Sequence, residues 1–147
     1  MGKTAFFCAG LLAAGSAFAA VKPETAIHYR QSVYHVILWN LAPLSEMYKG
    51  KLPFDAKEAE LRAARVAEAS EQLLEGFTPG SDKGAETEAK AEIWQNFDDF
   101  QAKMHDFTAQ SKALLAVVKT GDEAKFKAQF DNMKGTCKAC HEKYRSE

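Results

Sequence analysis

The sequence predicts an all-α fold, an antiparallel four-helix bundle whose chemistry lies on the C-terminal helix. Three observations carry this. Ala, Glu, Lys, Gln and Leu dominate the chain after residue 20, and these residues favour helices. Apolar residues recur at spacings of three and four, with no strand-like alternation. The segments that carry this period are joined by connections rich in helix breakers.

The 147 residues suit one domain, and 46% hydrophobic content supplies a core. The net charge is -1, with Lys and Arg spread along the chain, so no basic surface announces a nucleic-acid partner. Residues 1–20 read as a cleaved export signal and 21–147 as the bundle. Lys3 supplies the positive start, Ala5 to Ala14 the apolar stretch, and Ala17-Phe18-Ala19 a small-x-small cleavage site. The apolar run is too short and too broken by glycine for a membrane span. Cys8 leaves with the leader; Phe6 and Phe7 stand where a lipoprotein signal wants small residues. Loss of Lys3 takes the net charge from -1 to -2.

Helix one is expected from about Glu24 to Tyr48, entered through Pro23. Ile27, Tyr34, Leu41 and Tyr48 repeat every seven residues, with Ile37 and Leu44 in the second seam position. Pro43 is expected to kink or interrupt it. Gly50 to Pro53 form the first turn. Asp55 and Glu58 make a capping-box-like pattern for helix two, which runs to about Glu75 with Leu61, Val66, Leu73 and Leu74 inward. Gly76 to Gly84 form the longest loop. Helix three is expected from about Ala85 to Thr120, its seam made of Ile93, Phe97, Phe100, Met104, Phe107, Ser111, Leu114 and Val118. Gly121 ends it, and Asp122 caps helix four, which runs to about Arg145.

Helix four carries Cys137-Lys138-Ala139-Cys140-His141, the C-x-x-C-H attachment sequence for a c-type haem. Two thiols add across the two vinyl groups of the ring, and the adjacent imidazole reaches the iron. The phase agrees: Phe126, Phe130, Met133, Cys137, Cys140 and Tyr144 follow one another by four, three, four, three and four. Both cysteines continue the core seam, so one haem c points into the bundle. Gly135 is a poor helix residue, explained if the macrocycle packs close to the backbone there. Two close cysteines in an exported chain could instead form a small disulfide loop, but the histidine that follows the pair argues otherwise. A zinc site would want further ligands, usually a second cysteine pair. A thioredoxin-like pair would want a βαβ context, which is lacking.

Arg30 falls on the core seam of helix one. An inward unpaired Arg is costly, so a haem propionate is its expected partner; the alternative is that it snorkels to the surface. Methionine is the usual sixth ligand of an electron-transfer haem, and the chain after the leader offers Met47, Met104 and Met133. His28 and His35 each follow a seam residue by one and are expected to lean outward.

Taken together, KPETAIHYRQS (Lys22 to Ser32), FTPG (Phe77 to Gly80), AEIW (Ala91 to Trp94) and GTCKACHEKYR (Gly135 to Arg145) resemble the cytochromes c′, periplasmic four-helix-bundle cytochromes with a C-terminal C-x-x-C-H. The resemblance implies a periplasmic protein with a five-coordinate, high-spin haem whose only axial protein ligand is His141. It implies that Tyr34 holds the distal position, where an apolar residue is frequent in the family. It puts Arg30 and Gln31 near the propionates, Arg145 beside the proximal His and Trp94 in the haem pocket. A low-spin branch carries Met near position 34, and this chain does not. The resemblance further implies a homodimer through the first two helices, and NO or CO as ligands. Electron transfer with a periplasmic redox partner is the alternative. No acid-base pair or substrate cleft declares an enzyme.

Overall fold

The computed structural model describes residues 21–146, so the leader expected over 1–20 lies outside it. Five helices follow in order: α1 (Pro23–Tyr48), α2 (Ala56–Gln72), a short α3 (Glu92–Gln95), α4 (Phe97–Val118) and α5 (Glu123–Tyr144). The four long ones form the bundle. Among the described residues no strand forms, only an isolated antiparallel bridge between Ala89 and Arg145.

Pro23 is the first residue of α1, where its missing N–H costs nothing. Pro43 stands inside α1, and the helix runs through it to Tyr48, so the expected interruption does not occur. Its inward face is Ile27, Arg30, Val33, Ile37, Leu44 and Met47. Gly50, at φ 71, turns the chain in a conformation that disfavours a side chain. Asp55 caps α2 by accepting from the backbone N–H groups of Lys57 and Glu58 at 2.9 and 3.0 Å. The reciprocal half of the capping box is not made: the Glu58 carboxylate takes Arg62 Nε–H at 2.7 Å instead.

The inner face of α2 is built of small residues: Ala59, Ala63, Val66, Ala67, Ala69 and Ser70 are buried. Leu61, expected inward, is 44% exposed. Ala59 and Ala63 set the seam, and Leu61 sits about 200° around the helix from each of them. Leu73 is buried, in a 3-10 turn (Leu73–Gly76) that ends this arm, and Leu74 is half-buried.

The largest departure concerns helix three. It does not begin at Ala85. Residues 85–91 are irregular, α3 lasts one turn, and Asn96 (φ -132, ψ 45) breaks the chain before α4. The helix-favouring composition of 85–91 is overridden by tertiary hydrogen bonds. Lys90 N–H donates to Tyr144 O at 3.0 Å, and Ser146 N–H donates to Glu88 O at 2.8 Å. From Ile93 onward the seam holds except at one position: Ile93, Phe100, Met104, Phe107, Ser111, Leu114 and Val118 are buried, and Phe97 is half-buried.

Asp122 caps α5 by accepting from Lys125 N–H at 3.0 Å. Phe126, Phe130, Met133 and Tyr144 are buried on its inner face. At one end α1 reaches α5 through Tyr48, whose ring lies 5.0 Å from that of Phe130 and whose hydroxyl donates to Asp131 at 2.5 Å. The Cys-x-x-Cys segment lies towards the other end of α5.

Candidate functional site

Cys137 and Cys140 stand one turn apart on α5, half-buried and packed against the core cluster. They are free thiols, so the disulfide reading fails. Cys137 Sγ–H leans on Met133 O at 3.5 Å. Burial pushes both thiols up, Cys140 to about 11, with the Lys103 charge opposing. Among the described residues no three His, Cys, Asp or Glu side chains gather as a metal site. A thioether is neutral, so sulfurs bonded to the edge of a haem suit the same half-buried seam.

His141 follows directly on an exposed position of α5. Burial lowers its pKa, the Arg145 charge lowers it further, and Glu88 opposes both. The two lowering effects favour the neutral imidazole, the form whose lone pair can bind a metal. Arg145 is held by Glu88, whose carboxylate accepts from Nε and Nη2 at 2.5 Å.

Tyr34 comes from α1. It is half-buried, with its hydroxyl 4.0 Å from the sulfur of Met104 on α4. Burial raises its pKa, and Cys140 and Cys137 add to the rise; Arg30 and Arg145 oppose it. The phenol therefore shares one electrostatic neighbourhood with both cysteines and both arginines. His28 and His35 are exposed on the outer side of α1. Met47, Met104 and Met133 are all buried.

Arg30 is 2% exposed and does not snorkel. Nη1 donates to Gly76 O and Ser81 Oγ, each at 3.0 Å; Nη2 donates to Ser81 O at 2.9 Å and Thr87 Oγ1 at 3.0 Å. Its guanidinium carbon lies 4.8 Å from the Phe77 ring centroid and 5.6 Å from that of Trp94. The loop takes every N–H of the two terminal nitrogens, leaving only Nε–H for a propionate. Gln31 likewise donates to a loop carbonyl, Glu86 O, at 2.9 Å. Trp94 donates its Nε1–H to Thr78 O at 2.9 Å, and the Thr78 hydroxyl is buried without a partner.

Tyr34 on α1 thus neighbours Cys137, Cys140 and Arg145 of the α5 end, and Arg145 in turn neighbours the exposed His141, while Arg30, Gln31 and Trp94 face the 76–87 loop. Ser81, Thr87 and Glu88 were not legible as participants. Each lies in a segment without periodicity, more than 50 positions from its partner, and its residue type alone carries no signal.

The family model for "Cytochrome C'" matches residues 25–145. This chain belongs to the cytochrome c′ family. The cytochrome c′ of Rubrivivax gelatinosus is 41% identical over 126 residues, covering 86% of this chain and 98% of that one. Among solved structures, the nitric oxide complex of a mutant cytochrome c′ from Alcaligenes xylosoxidans superposes with a TM-score of 0.80 at 31% identity, covering 86% of this chain and 98% of that one. A cytochrome c′ described by ligand-controlled dimer dissociation gives 0.81 at 28% identity, covering 88% and 100%. As a cytochrome c′ the chain carries covalently bound haem c, and it is a haem protein and not an enzyme. No helix among the described residues is long and apolar enough to cross a membrane.

Proposed function

We propose that this cytochrome c′ is a periplasmic gas-binding protein. It holds one haem through Cys137 and Cys140, with His141 as the only axial protein ligand and NO or CO as the incoming molecule. When bound, the haem supplies an iron that takes a small neutral diatomic ligand on its open face. The remaining work falls to side chains of this chain. The half-buried thiols fix the ring edge to α5. The neutral imidazole of His141 offers its lone pair, and Arg145, tethered by Glu88, holds positive charge beside it. Trp94 would line the haem pocket, and Gln31 and the Nε–H of Arg30 would be the groups available to the propionates. The leader pattern over residues 1–20 supports export to the periplasm.

The observation that carries this reading is Tyr34. It occupies the face of α1 turned towards the cysteine pair, and it is a bulky phenol and not a Met or His. Such a residue restricts the distal side by size and offers no strong iron ligand at neutral pH. A ferrous absorption spectrum tests the reading: broad high-spin bands that sharpen on adding CO are expected. Sharp low-spin bands without added ligand would overturn it in favour of an electron carrier. That second reading has one observation of its own, the Met104 sulfur beside the Tyr34 hydroxyl, a donor of the strong-field kind. For the attachment, Cys137→Ser with Cys140→Ser should lose haem on acid-acetone extraction, where the parent keeps its mass.

The dimer belongs to the same proposal. Val36 and Trp39 on α1 are 51% and 73% exposed, and Leu61 on α2 joins them at 44%. Val36 also lines a groove with Val33, Arg65, Glu68, Ala69 and Gln72. A second copy of this chain, laid on the outer face of α1 and α2, covers this surface.

A further inference from the structure

Residues 84–90 tie together the two helices that flank the site, and the reading above uses only Glu88 of them, as the tether of Arg145. On the α1 side the contacts are close. Gly84 sits at φ +120, and a Cβ there would come within 3.2 Å of Pro23 Cβ. Gln31 Nε2 donates to Glu86 O at 2.9 Å, and Arg30 Nη2 donates to Thr87 Oγ1 at 3.0 Å. On the α5 side, Glu88 accepts from Arg145 through its carboxylate and from Ser146 N–H through its carbonyl at 2.8 Å. Lys90 N–H donates to Tyr144 O at 3.0 Å. The α1 anchors Arg30 and Gln31 lie one turn before Tyr34, and Tyr144 to Ser146 lie about one turn after His141. The direct α1–α5 contact through Tyr48, Phe130 and Asp131 lies at the opposite end of the site. The segment is therefore the brace between the helix that carries the distal side chain and the helix that carries the attachment motif.

We infer that this brace sets the spacing between Tyr34 and α5, and so how much room an incoming gas molecule finds. Thr87 and Glu88 are its positioning residues, one anchored on each helix. The inference rests on the gas-binding reading and adds to it a determinant of affinity that touches neither haem nor ligand. With the brace loosened, α1 can swing outward at its N-terminal end, carrying Tyr34 away. The crowding that a ligand must overcome then falls. Glu88 has a competing route of influence, because it also offsets the Arg145 charge beside His141. Thr87 has no such route, since its side-chain partners are Arg30 and the backbone of Ala89.

The experiment is CO titration of the ferrous holoprotein for the parent, Glu88→Gln, Thr87→Val, Tyr34→Ala, and each brace variant combined with Tyr34→Ala. Both brace variants are expected to bind CO more tightly by roughly threefold to tenfold, within the range produced by residues remote from a ligand. In the Tyr34→Ala background neither should add anything, because the same crowding cannot be relieved twice. Unchanged affinity in both variants, or gains that multiply with that of Tyr34→Ala, would overturn the brace. A gain in Glu88→Gln alone, accompanied by a shifted reduction potential, would also overturn it and assign Glu88 to the proximal charge. A parent protein that binds no CO would defeat the gas-binding reading itself, and this role for the brace with it.

Discussion

Arg30 shows how far one residue could be read. Its inward position followed from the seam, and the burial of its charge demanded partners. Which partners was not legible, because Gly76, Ser81 and Thr87 lie in a loop whose path no periodicity announces. Arg30→Met keeps the length and removes the donors, leaving buried acceptors at Gly76 and Ser81 unmatched. A loss of about 2–4 kcal/mol is expected, read as a lower urea midpoint at unchanged slope. Tyr34 is the converse: its placement was legible from the heptad, and its effect is a contest of terms. A phenol in the path of a ligand costs about 1–3 kcal/mol of overpacking, while one hydrogen bond to that ligand returns about 0.5–1.5 kcal/mol. Tyr34→Ala should therefore bind CO more tightly and faster, checked by flash photolysis and titration. Tyr34→Phe, which keeps the bulk, should stay near the parent. A weaker Tyr34→Ala would show the hydroxyl to be a stabilising donor.

At the scale of the element, the helices that failed to follow their sequence failed for identifiable reasons. Helix three starts late because residues 88–90 bond to the end of α5, a partner about 55 positions away. Leu61 faces outward because alanines, weak in hydrophobicity but suited to close approach, own the α2 seam. Gly135 was read as making room for the macrocycle, yet it is exposed, about 200° around the helix from Cys137, and a Cβ there would meet nothing within 4 Å. Gly135→Ala should accordingly stabilise the protein by about 0.5–1 kcal/mol through helix propensity. Gly76 is the opposite case. A Cβ there would lie 2.6 Å from Arg30 Cβ, so α1 and the 3-10 turn must part. Gly76→Ala should cost about 1–3 kcal/mol, read as a melting point lowered by several degrees. The α4–α5 junction adds a pH dependence. Asp99 accepts from Tyr144 Oη–H at 2.6 Å and Lys143 Nζ at 2.9 Å, which together hold its carboxyl below the usual carboxylate value. A depressed pKa stabilises the fold above the unfolded value and loses that contribution as pH falls through the folded one. The stability gap between the parent and Tyr144→Phe should thus be constant at neutral pH and shrink below about pH 4.

For the whole molecule, the open question is which face the bundle leaves for a second copy. A net charge of -1 over the full sequence gives little repulsion between copies, so apolar area decides. Ala59 and Ala63 are fully buried, and the outer side of α1 and α2 carries the shallow groove that Val33, Val36, Arg65 and Glu68 line. Trp39, Val36 and Leu61 are exposed there, with Arg65 and Glu68 beside Val36 in the groove. A two-fold axis through the face would stack the apolar residues of both copies at its centre. It would also set Arg65 and Glu68 of each copy at the rim, where opposite charges can meet. Trp39 is the residue such an interface depends on, since a large aromatic at the centre dominates association. Leu38 provides the control. It is 60% exposed and apolar, but about 100° around α1 from Trp39, on the flank facing away from α2. Trp39→Glu should sediment as a monomer at concentrations where the parent is a dimer, with its haem spectrum unchanged. Leu38→Glu should remain a dimer. If Leu38→Glu dissociates and Trp39→Glu does not, the copies meet on the α5 side of α1, and the contact would border the site itself.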